Sequence, residues 1–171
     1  MAVAKSATVK PALAKPPRVR ARPAASGNHG KLLLHAHRMD SQAKIEMIRD
    51  RVPAGRVGQL AARMNTSKEF LIMSLGLSRA TISRKERNQA KLSRDESERV
   101  LGVEHLIGMV QTMVEQSGNP EGFDAPRWLS GWLANPLPAL GGKTPASYMD
   151  TFEGQRLVAD LLAMSQSGAY A

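Results

Sequence analysis

Ser67 to Arg87 reads SKEFLIMSLGLSRATISRKER, and this stretch decides the architecture. Ser67 is a capping residue for a helix whose inner face is Phe70, Leu71 and Leu75. Gly76 provides the turn, because a residue without a β-carbon enters left-handed backbone at no steric cost. Ser78 then caps a second, shorter helix anchored by Ile82. Two helices joined by a tight glycine turn form a helix-turn-helix, the motif that offers its second helix to a DNA major groove.

On that second helix Arg79, Ser83 and Arg87 follow at spacings of four, with Arg84 on the adjoining stripe, all on the side away from Ile82. Guanidinium groups at these positions suit guanine edges and phosphates. From Gly76 to Arg94 the cations are Arg79, Arg84, Lys85, Arg87, Lys91 and Arg94, and Glu86 is the one acid between Gly76 and Arg94. Any solvated helix face carries charge, but here the capping serine, the turn glycine and the basic island agree. The candidate DNA-binding residues are Ser78, Arg79, Thr81, Ser83, Arg84, Lys85 and Arg87.

Toward the N-terminus, Ile45, Met47, Ile48 and Val52 predict one helix from Ser41 onward, ended by Pro53 and Gly55. Val57, Leu60, Ala61 and Met64 predict another. Toward the C-terminus, Ser93 caps a long helix with Asp95 and Glu96 in its first turn, where the helix dipole favours acids. Val100, Val103, Ile107, Val110 and Val114 repeat at three and four, Leu101, Leu106, Met109 and Met113 widen the face, and the helix runs to about Gln116. So wide a face exceeds what one neighbour covers. It is expected to be the spine of the core, with self-association as a weaker inference. No segment alternates with period two long enough to form a strand, so the chain reads as all-α.

Ala125 to Ala134 predicts a short helix with Trp128, Leu129, Trp132 and Leu133 on one side. The next stretch, Asn135 to Ala171, is NPLPALGGKTPASYMDTFEGQRLVADLLAMSQSGAYA. Pro136 and Pro138 hold an extended connection, Gly141 and Gly142 allow a turn, and Thr144 with Pro145 starts a helical turn. Asp150 or Thr151 caps a last helix with Leu157, Val158, Leu161, Leu162 and Met164 on its apolar side, and Gly168 is placed to end it. Gly142, Lys143 and Thr144 copy the end of a phosphate-binding P-loop. That loop needs a glycine where Leu137 stands and a strand before it, where this chain offers a Trp-rich helix. The P-loop reading fails.

Of the 24 cations, eight fall in residues 1 to 39, which hold no Asp or Glu; the remainder carries 16 against 15 acids. Residues 1 to about 30 are rich in Ala, Lys and Pro and cannot bury enough surface to order themselves. A disordered basic arm over 1–40 is expected, either a solvated tail or a salt-sensitive phosphate-binding arm. The absence of cysteine excludes disulfides, thiolate metal sites and thiol nucleophiles. No apolar run approaches the ~20 residues that span a bilayer, so a cytoplasmic protein without membrane contact is expected. His29, His35, His37 and His105 are scattered, and His35-x-His37 alone is a poor metal site. No metal, no cofactor and no catalysis are expected.

Through Leu71, Leu75, Gly76, Leu77, Ser78, Arg79, Thr81, Ile82, Ser83 and Arg84, the helical pair resembles the helix-turn-helix of the Xre/Cro type. Ile72 departs from it where such motifs carry a small alanine, which is expected to spread the two helices. WLANPLPALGGKTPASYMDTFEGQRLVADLLAMSQSGAYA in turn resembles the toxin-binding domain of the Xre/MbcA/ParS antitoxins. The residues are Trp132, Leu133, Asn135, Pro138, Ala139, Leu140, Gly141, Gly142, Pro145, Thr151, Gly154, Val158, Leu161, Leu162 and Gly168.

The resemblance implies an antitoxin and autorepressor. Its partner would be a RES-type toxin, similar to ADP-ribosyltransferases and NAD-consuming, and its DNA would be its own operator. The implied toxin-binding residues are Trp132, Asn135, Leu140, Gly141, Gly142, Lys143, Ser167, Gly168, Ala169, Tyr170 and Ala171, with Tyr170 as the side chain inserted into the NAD pocket. The implied organisation is a basic arm (1–40), a DNA-binding domain with its long connecting helix (41–118) and a toxin-binding domain (119–171), assembled as a homodimer within a toxin–antitoxin hetero-oligomer. A solitary dimeric regulator whose C-terminal domain only dimerises is the alternative.

Overall fold

A computed structural model describes residues 41–118 and 120–166. The basic arm and the tail from Ser167 to Ala171 lie outside the described residues. Among those described, the helices in chain order are α1 (Ser41–Asp50), α2 (Arg56–Arg63), α3 (Lys68–Ser74), α4 (Arg79–Arg87), α5 (Arg94–Gln116), α6 (Ala125–Ala134) and α7 (Phe152–Gln166). Two 3-10 turns, Pro138–Leu140 and Pro145–Tyr148, lie between α6 and α7. Extended pairing among these residues is limited to one antiparallel bridge, Pro53 with Lys91. The fold is helical, as the periodicity requires.

The first helix stops earlier than its apolar spacing suggests. Arg51 takes left-handed backbone at φ 61°, which leaves Val52 beyond the helix yet buried. Val52 is held from two sides: its N–H donates to the Ser97 hydroxyl at 3.1 Å, and its carbonyl accepts from Leu92 N–H at 2.8 Å. Ile45, expected to face inward, is 46% exposed. Met47 and Ile48 carry the contact, both half-buried.

The ends of α2, α3 and α4 share one chemistry. Each is followed by a residue in left-handed backbone, Asn65 (φ 51°), Gly76 (φ 58°) and Gln89 (φ 51°). The next residue's N–H then returns to a carbonyl inside the helix: Thr66 to Ala61 at 3.0 Å, Leu77 to Ile72 at 2.9 Å and Ala90 to Lys85 at 2.8 Å. These are Schellman closures, which satisfy carbonyls that the helix leaves open. Ile72 and Leu77, the two residues joined at the central closure, are both in the core, so the bulkier side chain at position 72 finds apolar surroundings.

Helix α5 begins with a complete capping box: Ser93 Oγ accepts from Glu96 N–H at 3.2 Å, and Glu96 Oε2 accepts from Ser93 N–H at 2.6 Å. Asp124 caps α6 by accepting from Arg127 N–H at 3.1 Å. Of the two candidates for α7, Thr151 is the cap, its Oγ1 accepting from Gly154 N–H at 3.0 Å. Val158, Leu161 and Leu162 point inward from α7, but Leu157 and Met164 are 40% and 36% exposed, so the apolar side of this helix is narrower than the sequence implies.

One core runs from Val52 to Leu162 without a break. Helix α5 is its spine, with α1, α6 and α7 all packed on it. Much of the wide apolar face of α5 is therefore covered within the chain, while Leu101, Met109, Met113 and Val114 stay half-buried. Across the core, Glu104 of α5, 2% exposed, receives a bidentate pair from Arg56 at the start of α2, both N···O distances 2.7 Å. The hydrogen bonds that Arg56 donates to Glu104 raise the Arg56 pKa, and burial lowers that of nearby Arg63.

Removing one partner of a buried pair leaves an uncompensated charge. Glu104→Ala is therefore expected to cost about 3–5 kcal/mol in urea unfolding, and Glu104→Leu combined with Arg56→Met to recover most of that loss. Equal destabilisation by the double and single variants would refute this account.

Candidate functional site

Two surfaces carry the candidate residues. On the first, Ser78 caps α4 by accepting from Thr81 N–H at 3.3 Å. Ser78, Arg79, Ser83, Arg84 and Arg87 are exposed and Thr81 is half-buried. Arg79 sits 3.4 Å from Glu69 of α3, with side chains 75% and 55% exposed. Water screens such a pair, and it is worth little, so the guanidinium is free to exchange partners. Arg84 and Arg87 make no ion pair among the described residues.

Lys85 is arranged differently. Its ammonium pairs with Glu96, the acid of the α5 capping box, and its side chain is only 21% exposed. Burial acts to raise the Glu96 pKa, but hydrogen bonds from Lys85 and from Ser93 N–H outweigh it, and the carboxyl is held below its usual range. Lys85 thus fastens α4 to α5. Glu86 is similarly taken by Lys68, and Lys91 Nζ donates to the Asp50 carbonyl at 2.8 Å. Of the basic island, Arg79, Arg84, Arg87 and Arg94 are the exposed guanidiniums.

The second surface runs from α6 to the start of α7. Trp132 is half-buried and lies parallel to Trp128, with ring centroids 6.3 Å apart and planes at 15°. Trp128 is the more exposed of the two at 37%. Trp128 adjoins buried Leu129, and Trp132 adjoins buried Leu133. Asn135 ends α6 and is exposed, and Leu140 is half-buried. Leu137 N–H donates to the Lys143 carbonyl and the Leu137 carbonyl accepts from Gly142 N–H, both at 3.0 Å. This closes residues 137–143 into a loop.

Gly141 and Gly142 sit at φ 62° and 82° with open space where a β-carbon would be. Backbone conformation, not crowding, demands glycine here. Lys143 is exposed, its Nζ 6.0 Å from the centre of the Tyr148 ring. Its N–H donates to the Leu140 carbonyl at 3.2 Å, so the Gly142 and Lys143 amides that would cradle phosphate in a P-loop are spent inside the turn. Ser167, Gly168, Ala169, Tyr170 and Ala171 lie outside the described residues.

No local pattern in the residues anticipates the link between these surfaces. Arg99 Nη1 of α5 donates to the Leu75 carbonyl at 2.8 Å and the Gly76 carbonyl at 3.2 Å, in the helix-turn-helix turn. The Arg99 carbonyl accepts from Gln155 Nε2 of α7 at 3.1 Å, and the same amide donates to the Met149 carbonyl at 2.9 Å. A β-carbon on Gly102 would lie 1.7 Å from Gln155 Oε1, and one on Gly154 1.8 Å from the Tyr148 carbonyl oxygen. The first obstacle is the end of a side chain; the second is backbone. Gly154→Ala is therefore expected to push α7 off the Pro145–Tyr148 turn and cost roughly 1–3 kcal/mol, read as a lower thermal midpoint. A midpoint equal to that of the parent protein would show that α7 docks without this close approach.

Among the described residues no group of three or more His, Asp or Glu is placed to hold a metal, and no helix is long and apolar enough to cross a membrane. Residues 43–103 match the antitoxin Xre-like helix-turn-helix domain, and residues 121–168 match the antitoxin Xre/MbcA/ParS C-terminal toxin-binding domain. A relative from Sphingobium sp. (strain YBL2), described as a Prs ADP-ribosylating antitoxin, is 44% identical over 128 residues, spanning 75% of this chain and 80% of the relative. With a helix-turn-helix and a toxin-binding domain built on one core, this chain belongs to the Xre/MbcA/ParS family of antitoxins.

Proposed function

We propose that this antitoxin silences a RES-type toxin by covering its NAD pocket and represses its own operon through α4. The observation that carries the reading is that the toxin-binding match extends to Gly168, into the short tail that would serve as the plug. The described relative is associated in its name with Prs ADP-ribosylation. ADP-ribosyl transfer draws on NAD, which supports an NAD-consuming partner of the ADP-ribosyltransferase type.

In this reading the exposed aromatic and glycine-loop surface, with Trp132, Asn135, Leu140, Gly141, Gly142 and Lys143, docks on the toxin, and Ser167 to Ala171 enters or caps its pocket. Trp128 joins that surface because it is more exposed than Trp132. Residues 41–118 serve DNA and 119–171 serve the toxin, with Arg79, Ser83, Arg84 and Arg87 facing the operator. The positive end of the α4 dipole at Ser78 suits a phosphate. A homodimer on a symmetric operator, working in the cytoplasm as part of a larger toxin–antitoxin assembly, matches the docking rules of helix-turn-helix proteins.

Truncation after Gln166 is expected to lower inhibition of the toxin's NAD consumption by at least tenfold while operator affinity is retained. Full inhibition by the truncated protein would eliminate the pocket-covering mechanism. Separately, Arg79→Ala and Arg84→Ala are expected to weaken operator binding by about 1–3 kcal/mol each if they contact bases, with toxin binding intact. Lys85→Ala is expected to lower stability instead. Gel-shift titrations with unchanged affinity for both arginine variants would rule out α4 as the reading helix.

A further inference from the structure

Where the described chain ends, α7 forms one wall of an apolar cleft of about 190 Å³. Its other walls are Val110, Met113 and Val114 of α5, with Phe123 and Trp128 at the mouth of α6. Ser165, at the rim, donates its hydroxyl to the Leu162 carbonyl at 2.7 Å, so it makes no demand for a polar ligand. The aromatic residues form a row: Phe123 and Trp128 have centroids 6.2 Å apart at 47°, and Trp128 stacks in turn on Trp132. Trp128 remains more than a third exposed at 37%.

We propose that, in the antitoxin without its toxin, residues 167–171 fold back over this cleft and seat the Tyr170 ring in it. Reach, size and chemistry all support this occupant. Five residues span at most about 17 Å, and Ser165 already lines the cleft, so the segment starts at the rim. An apolar cavity of about 150 Å³ holds a benzene ring, so the cleft has room for a phenol. In Ser167-Gly168-Ala169-Tyr170-Ala171, Tyr170 is the one large side chain. Gly168 tolerates the left-handed backbone that a reversal needs. The ring would extend the aromatic row edge-on or offset, with its hydroxyl left at the open side in water.

The docking stands without the toxin; its consequence rests on the toxin reading above. If Tyr170 is also the residue that enters the NAD pocket, the toxin must draw it out of its own cleft. The apparent toxin affinity then falls in proportion to the fraction of antitoxin with the tail released.

The test uses the full-length antitoxin alone, so its failure is separate from any failure of toxin inhibition. Acrylamide quenching of tryptophan fluorescence in the Trp132→Phe background reports Trp128. Tyr170→Ala and truncation after Gln166 are each expected to raise the quenching constant about twofold, and Tyr170→Phe to leave it unchanged. Because the sequence contains no cysteine, Val114→Cys with Tyr170→Cys reports on the same contact, and an intrachain disulfide is expected on mild oxidation. Equal quenching constants in all variants, or a disulfide that forms only between two copies, would overturn the proposal.

Discussion

The carbonyls at the end of α3 cannot all be satisfied by their own helix, and Arg99 answers two of them from α5. This arrangement orders much of what surrounds it. The guanidinium holds Leu75 and Gly76, while the carbonyl of the same residue accepts from Gln155 of α7. One residue thereby joins the turn that aims α4 to the helix that carries the tail. The glycines complete the join: Gly102 makes room for the Gln155 amide, Gly154 lets α7 touch the Tyr148 carbonyl, and Gly76 faces Asp150, whose Cβ would be 3.0 Å from an added β-carbon.

Charge follows the same logic of internal use before external display. Beyond the basic arm the cations and anions nearly cancel, and the structure spends much of that balance within itself. Lys85 goes to Glu96, Lys68 to Glu86 and Arg56 to Glu104. What remains outward on α4 is arginine, whose planar fork is better suited than lysine to guanine and phosphate. The surface field that would attract DNA is therefore small in extent and concentrated on one helix.

Local chemistry was legible in sequence wherever one residue decides the outcome. Ser67, Ser78 and Ser93 cap the helices they precede, Gly76 makes its turn, and the Gly141–Gly142 pair takes positive φ. Readings that depended on a distant partner fared less well. Lys85 looks like its arginine neighbours until α5 brings Glu96 beside it. Val52 matches the spacing of α1, yet Arg51 ends the helix one residue earlier and the Ser97 hydroxyl claims Val52 instead. Leu157 and Met164 fit the apolar phase of α7 but overhang its contact with α5. Periodicity records which residues are apolar, and only packing records how wide a face the neighbour covers. The Arg99–Gln155 link could not be anticipated, since neither residue belongs to any local pattern.

The unbroken core has a consequence for the protein's lifetime. An antitoxin made of two independently stable halves could lose one to a protease and keep the other. Here residues that match the two domains share a single set of buried side chains around α5, so opening that helix unfolds both. Turnover of this molecule is then a single decision: a cut that opens α5 removes the helix-turn-helix and the toxin-binding domain together.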